Sequence, residues 1–202
     1  WLHGLDDGQR RGISMRRISE VNELYGGRES LERTQRAHAR FFNTCMMATS
    51  LGAAVSDALE DGRVVSGVGG QYNFVAMAHA LRHARSVLML RAVRGSDGAA
   101  SSNVLWNYGH TTIPRHLRDV VVTEYGAVDL RGRSDEEIIQ ALLGIADSRF
   151  QPELLQAARH AGKIDPDWEI PDAQRHNLPE RIAGALGPWR KRGYFPAFPL
   201  GT

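Results

Sequence analysis

The chain has 202 residues, 42% hydrophobic and 24% charged, with 25 Lys and Arg against 23 Asp and Glu for a formal net charge of +2. That is the balance of an ordinary globular protein long enough to build one good core. It gives nucleic-acid binding little support: Lys163 and Lys191 are the only lysines, and no dense basic run interleaved with aromatics occurs among the arginines. Cys45 is the single cysteine, so no internal disulfide can form, and its apolar setting (Cys45-Met46-Met47-Ala48) reads as a small core residue. No apolar run reaches the ~18 residues of a membrane span and no signal peptide is visible. The expectation is therefore a cytoplasmic protein without a membrane association. The chain starts at Trp1 rather than methionine, which reads as a fragment.

Residues 1–30 are polar and glycine-punctuated and read as an irregular lead-in, and a short charged helix is expected over Ser30–Arg40, with Ser30 as its cap and Arg33 paired with Glu29. Phe41–Ser50 reads as one buried strand. Arg63-Val64-Val65-Ser66 reads as a strand running into the glycine loop. Gln71–Ala84, with Phe74, Val75, Ala78 and Leu81 at helical spacing, is predicted as a helix. Short strands are expected over Ser86–Val93 and Asn103–Trp106, with a small-residue loop over Gly95–Ser102 between them. Asp119–Glu124 is the clearest strand, stopped by Gly126. Ser134 and Glu137 form a capping box in front of the stripe Ile138, Ile139, Leu142, Leu143, Ile145. Pro152 and Gly162 frame another helix. Beyond Ile164 the chain is proline-rich, with room for one short helix near Glu180–Leu186. Alternating strands and helices predict an α/β fold, a layered mixed or mostly parallel sheet flanked by helices. The organisation is read as a lead-in at 1–40, an α/β domain at 41–164 and a tail at 165–202 that packs on the domain or on a partner.

Two places carry chemistry. In Ser66-Gly67-Val68-Gly69-Gly70-Gln71-Tyr72-Asn73-Phe74, glycines ahead of a helix leave backbone amides open to an anion, or to an oxygen that becomes anionic during reaction. The same cluster could simply turn the chain. It fails the dinucleotide fingerprint, since Tyr72 stands where the third glycine belongs, and it lacks a Walker Lys-Ser/Thr pair. An oxidoreductase reading is correspondingly weak. Gln71 and Asn73, in the first helical turn, either orient a substrate carbonyl or cap the turn. The second place is Glu124, which follows Val120-Val121-Val122-Thr123. A carboxylate entering from a buried strand suits proton handling or electrostatic work, or else pairs with Arg115, Arg118 or Arg131. His110, in a loop, is either a hydrogen-bonding group or a catalyst. No histidine or cysteine spacing suggests a metal.

The string Ser66–Phe74, followed by Val121-Val122-Thr123-Glu124-Tyr125-Gly126-Ala127-Val128-Asp129-Leu130-Arg131-Gly132, resembles the C-terminal region of the acetyl-CoA hydrolase/transferase family, the class I CoA-transferases, over about residues 40–162. The resemblance implies a CoA-transferase-like α/β domain forming half of a longer enzyme. Its substrate or product is coenzyme A, with no tightly bound cofactor, and its partners are an acyl-CoA, a carboxylate acceptor, the N-terminal half of the enzyme and a possible second copy. It implies attack on the thioester by a glutamate upstream of the glycine loop, through an acyl-glutamyl anhydride and a glutamyl-CoA thioester. Glu20, Glu23, Glu29, Glu32 and Glu60 have no matching context, so that nucleophile is expected outside this chain. Glu124 matches the family's second active-site glutamate, with an electrostatic and positioning role. Gly69 and Gly70 are implied as oxyanion donors, with Gly67, Gln71, Asn73 and His110 toward substrate. Asn73 departs from the family, where many members have Asp. The competing reading is a non-catalytic module that binds CoA or another phosphate-bearing ligand.

Overall fold

The computed structural model describes residues 2–95 and 98–194. A 3₁₀ turn (Leu2–Gly4) and three short helices, α1 (Asp7–Arg11), α2 (Ile18–Asn22) and α3 (Glu29–Gln35), lead into the first strand. Strands β1 (Arg40–Thr44), β2 (Met47–Thr49) and β3 (Ala54–Val55) precede α4 (Gln71–Ala80). Then come β4 (Arg85–Met89), β5 (Val93–Arg94), β6 (Ser101–Ser102) and β7 (Val104–Leu105). The hairpin β8 (Val120–Thr123) and β9 (Gly126–Asp129) is followed by α5 (Asp135–Gly144), α6 (Gln151–His160) and α7 (Pro179–Lys191).

The main sheet has the order β1-β4-β8-β9, the first three strands parallel and β9 antiparallel. A smaller sheet, β3-β2-β7, and a two-stranded ribbon, β5-β6, stand beside it. α4 packs on β1 and β4, and α5 packs on β9 and α6. The result is the expected α/β arrangement with a mixed sheet. The largest core cluster is built from the predicted stripe, Ile138, Ile139, Leu142, Leu143 and Ile145, with Val121, Leu130 and Leu155. α5 starts where the sequence places it, with Ser134 and Glu137 bonded reciprocally as a capping box.

Several expectations change. Phe41–Ser50 is not one buried strand: after β1, which alternates exposed and half-buried, Cys45 and Met46 carry the chain from one sheet into another as β2. Val64-Val65 forms no strand: Val64 makes an isolated bridge to Ala58, and the Val65 amide donates to the Asp57 carbonyl at 2.8 Å. Gly126 does not end the sheet; it opens β9. α3 begins at Glu29 without a side-chain cap from Ser30, although Arg33 Nε does donate to Glu29 Oε1 at 2.7 Å. The helix expected near Glu180–Leu186 runs from Pro179 to Lys191 and tolerates Pro188 near its last turn. The end of the tail, with Pro196 and Pro199, lies outside the described residues, as do positions 96 and 97 of the small-residue loop.

Candidate active site

Three parallel strands end together. Thr44 is in register with Met89, and Met89 with Val122. Ligands of open α/β sheets bind beyond such carboxyl ends, and here they face a cleft of about 730 Å³ lined by Thr44, Met89, Val122, Glu124 and Tyr125, with Ile182 and Arg190 of α7 across from them. Glu124 and Tyr125 are the two-residue turn of the β8–β9 hairpin, because Thr123 pairs with Gly126. Thr123 shapes the turn: its hydroxyl donates to the Ile145 carbonyl at 2.7 Å and accepts from the Tyr125 amide at 3.1 Å. The Tyr125 hydroxyl then donates to buried Asp147 at 2.8 Å. Burial, and then that hydrogen bond, push the phenol above its ordinary range.

Glu124 is exposed rather than buried, since the strand stops one residue earlier. Its Oε2 accepts from the Ala92 amide at 2.8 Å, which fixes the carboxylate against the segment following β4. None of the three arginines proposed from sequence reaches it. Arg115 and Arg118 face Asp135, and Arg131 binds Asp119 at the opposite end of β8.

The glycine loop reaches the same edge of the sheet by another route. The carbonyl of Asp57 accepts from the amides of Val65 and Ser66 at 2.8 and 3.1 Å. That holds in place a segment whose Val64, Val65 and Val68 are exposed. Gly69 has φ +50°, a left-handed conformation that favours glycine, and open space where a Cβ would stand. The amides of Gly67, Gly69 and Gly70 donate to no group among the described residues. Gly67, Gly70 and Gln71 line a second, polar cleft of about 350 Å³ with Asn43 and Ser56. Gln71 is buried and its Nε2 donates to the Thr44 carbonyl at 3.0 Å, so it ties α4 to β1. Asn73 is exposed and lines neither cleft. His110 Nε2 lies 2.9 Å from Asp57 Oδ1, where Thr112 Oγ1 also donates, and lines neither cleft either. Hydrogen bonds from Thr112 and then His110 hold the Asp57 carboxyl below its usual range.

Asn43 and Ser56 were not visible as candidates from sequence. Asn43 Nδ2 and Ser56 Oγ are buried in the polar cleft with no hydrogen-bond partner among the described residues. A buried polar atom left unpaired is costly, so both groups have hydrogen-bonding capacity to offer to whatever fills the cleft. Their only sequence signal is weak: a polar residue within an apolar strand, and a serine after one.

The two clefts are neighbours and share Thr44 and Cys45. Gly69 itself lines neither. A third cleft of about 570 Å³ also meets Cys45, and among the described residues Glu124 is the one carboxylate lining any of the three. Cys45 is partly buried, and burial pushes its thiol up to about 12, so it stays protonated and unreactive at neutral pH. The arrangement therefore offers open amides and a fixed carboxylate on one sheet edge, joined through Thr44 and Cys45.

The sequence profile of the acetyl-CoA hydrolase/transferase C-terminal domain matches residues 3–158. The chain belongs to this family. Among curated relatives, it is 28% identical over 114 residues to the 4-hydroxybutyrate coenzyme A transferase of Clostridium kluyveri, covering 56% of this chain and 26% of that protein. It is 31% identical over 120 residues to the "Probable butyrate:acetyl-CoA coenzyme A-transferase" of Syntrophomonas wolfei, covering 58% and 27%. The chain thus spans about a quarter of the length of the curated relatives it matches. Among solved structures, RipA from Yersinia pestis superposes with a TM-score of 0.55 at 31% identity, over 62% of this chain and 28% of that one. The family match takes in the lead-in as well as the α/β core, and leaves α7 outside it.

Proposed function

We propose that this chain is the CoA-facing C-terminal part of an enzyme acting on acyl-CoA thioesters, as a hydrolase or a CoA-transferase, with the nucleophilic glutamate supplied by a segment outside it. The observation that carries the reading is the position of Glu124: on a hairpin tip, fixed by the Ala92 amide, in the large cleft at the ends of three parallel strands. Attack on a thioester places negative charge on the carbonyl oxygen. The free amides of Gly67 and Gly70, helped by Asn43 Nδ2, line the polar cleft that adjoins the large one through Thr44 and Cys45 and are donors suited to that oxygen, with Gly69 setting the turn that presents them. One such donor is typically worth ~3 kcal/mol of transition-state stabilisation. Glu124 then acts through its charge, orienting the thioester and disfavouring a second anion beside it. Whether water or a carboxylate resolves the intermediate decides between hydrolase and transferase.

The test uses the full-length parent protein during turnover of acetyl-CoA. Borohydride reduction or hydroxylamine trapping, read by peptide mass spectrometry, is expected to mark a glutamate upstream of Trp1. Glu124→Gln should keep that mark and slow turnover by about 100-fold, a loss like that of removing one preorganised electrostatic group. A mark on Glu124 itself overturns the assigned role. Tight binding of CoA by the isolated chain, with no mark anywhere in the parent, would favour a binding module instead.

A further inference from the structure

The wall that closes the large cleft is contributed by residues beyond those that match the family. α7 follows the matched stretch and faces the strand ends with Pro179, Ile182, Ala183 and Arg190. None of its residues is fully buried, so its inward apolar edge is only partly covered. On the opposite wall stand Met89, Leu90 and Val122. The cleft is apolar along its length, and its charged groups, Glu124, Arg91 and Arg190, come from the strand ends and the last turn of α7. Neither arginine forms an ion pair among the described residues, so these groups carry two unpaired positive charges against one negative. At about 730 Å³ the cleft falls in the range of small-molecule pockets, ~300–1,000 Å³, which pair apolar walls with a few placed polar groups.

An apolar slot with surplus positive charge fits an anionic ligand that carries a linear apolar tail. We propose that this cleft is the acyl subsite of the chain and that it takes acyl-CoA thioesters of medium chain length. The thioester lies at Glu124 and the tail runs along Ile182 and Ala183. The proposal rests on the reading of the chain as part of an acyl-CoA enzyme and adds the substrate class. It makes α7 the element that sets acyl length, since the parallel strand ends are common to the fold while α7 lies outside the family match.

The experiment is isothermal calorimetry of the full-length parent protein with CoA, acetyl-CoA, butyryl-CoA, octanoyl-CoA and free octanoate, paired with saturation-transfer NMR that reports which ligand protons touch protein. Each methylene fully buried is worth about fourfold in affinity. Octanoyl-CoA is therefore expected to bind at least about tenfold more tightly than acetyl-CoA, with strong saturation of its terminal methyl group. Ile182→Trp and Ala183→Trp, each checked for an unchanged circular dichroism spectrum, should abolish that preference and leave CoA binding intact. Equal affinity for acetyl- and octanoyl-CoA, or a preference untouched by both variants, overturns the acyl subsite alone. Octanoate binding as tightly as octanoyl-CoA overturns the thioester assignment. Failure of every CoA compound to bind overturns the functional reading beneath it as well.

Discussion

Asp57 accepts from His110 and Thr112 with its carboxylate and from Val65 and Ser66 with its carbonyl, so one residue ties the connection after β7 to the segment that presents the glycine loop. Thr112 is the busier partner, because its hydroxyl also accepts from the Ser56 amide at 2.8 Å. Thr112→Val keeps the shape, removes both bonds and strands a donor next to the polar cleft. The expected loss is about 1–3 kcal/mol in urea unfolding. The pH dependence follows from the direction of the Asp57 shift. Its folded pKa is held below the ordinary carboxylate value, so the stability it contributes is complete above ~3.9 and is lost as pH falls through the lower folded value. In Thr112→Val the largest cause of that shift is gone, and the acid-side loss should shrink. Unchanged urea midpoints for wild type and variant across pH 3–7 would refute it. His110 stood out in the sequence only as a loop histidine, with binding and structural roles both open. Its partner lies 53 positions away, and no local spacing announces a contact of that range.

At the scale of elements, what the sequence made legible was whatever is encoded locally. The α5 capping box, the stripe behind it, the Pro152 start of α6 and the three valines of β8 all rest on neighbours within a few residues. Misread were features settled by partners far along the chain. The apolar run after Phe41 divides because Cys45 and Met46 cross between sheets, which hydrophobicity alone does not signal. β9 alternates half-buried and exposed over four residues and opens on glycine, so it lacks the signature of a buried strand. What makes it a strand is β8, and the tie at its far end is Asp119. That nearly fully buried carboxylate accepts from Arg85 Nε and the Ser86 amide, both at 2.7 Å, and from Arg131 beyond β9. Asp119→Ala leaves two guanidinium groups and a buried amide without their shared acceptor, and is expected to cost about 3–5 kcal/mol in chemical denaturation. Asp129 also pairs with Arg85 but is half exposed, so Asp129→Ala should cost less than about 1 kcal/mol. Equal losses in the two variants would mean that burial of Asp119 is not what distinguishes them.

Across the whole molecule, the packed core and the candidate site meet at Asp147. It is fully buried, sits just after α5, and binds both Arg149 and the hydroxyl of Tyr125, the residue next to Glu124 on the hairpin tip. Burial by itself would raise the Asp147 pKa. Hydrogen bonds from the Arg149 side chain and amide and from Tyr125 outweigh it, and the net shift is downward. A carboxyl depressed in the folded state supplies stability that is fully present above ~3.9 and disappears as pH drops through its folded value. The wild-type protein should therefore lose melting temperature steeply below about pH 4, with Asp147 one of the groups responsible. Asp147→Asn has no such proton to gain. It should be less stable at pH 7 by about 1.5–3 kcal/mol, the worth of hydrogen bonds to a charged acceptor, and its melting temperature should fall less steeply from pH 4 to pH 2.5 than wild type. Because Tyr125 loses its charged acceptor as well, the same variant should loosen the hairpin tip and weaken acyl-CoA binding by more than Tyr125→Phe does, since the phenylalanine ring leaves the Asp147–Arg149 pair in place. Parallel acid limbs for wild type and Asp147→Asn would show that the core carboxylate and the stability of the site edge are not linked through this residue.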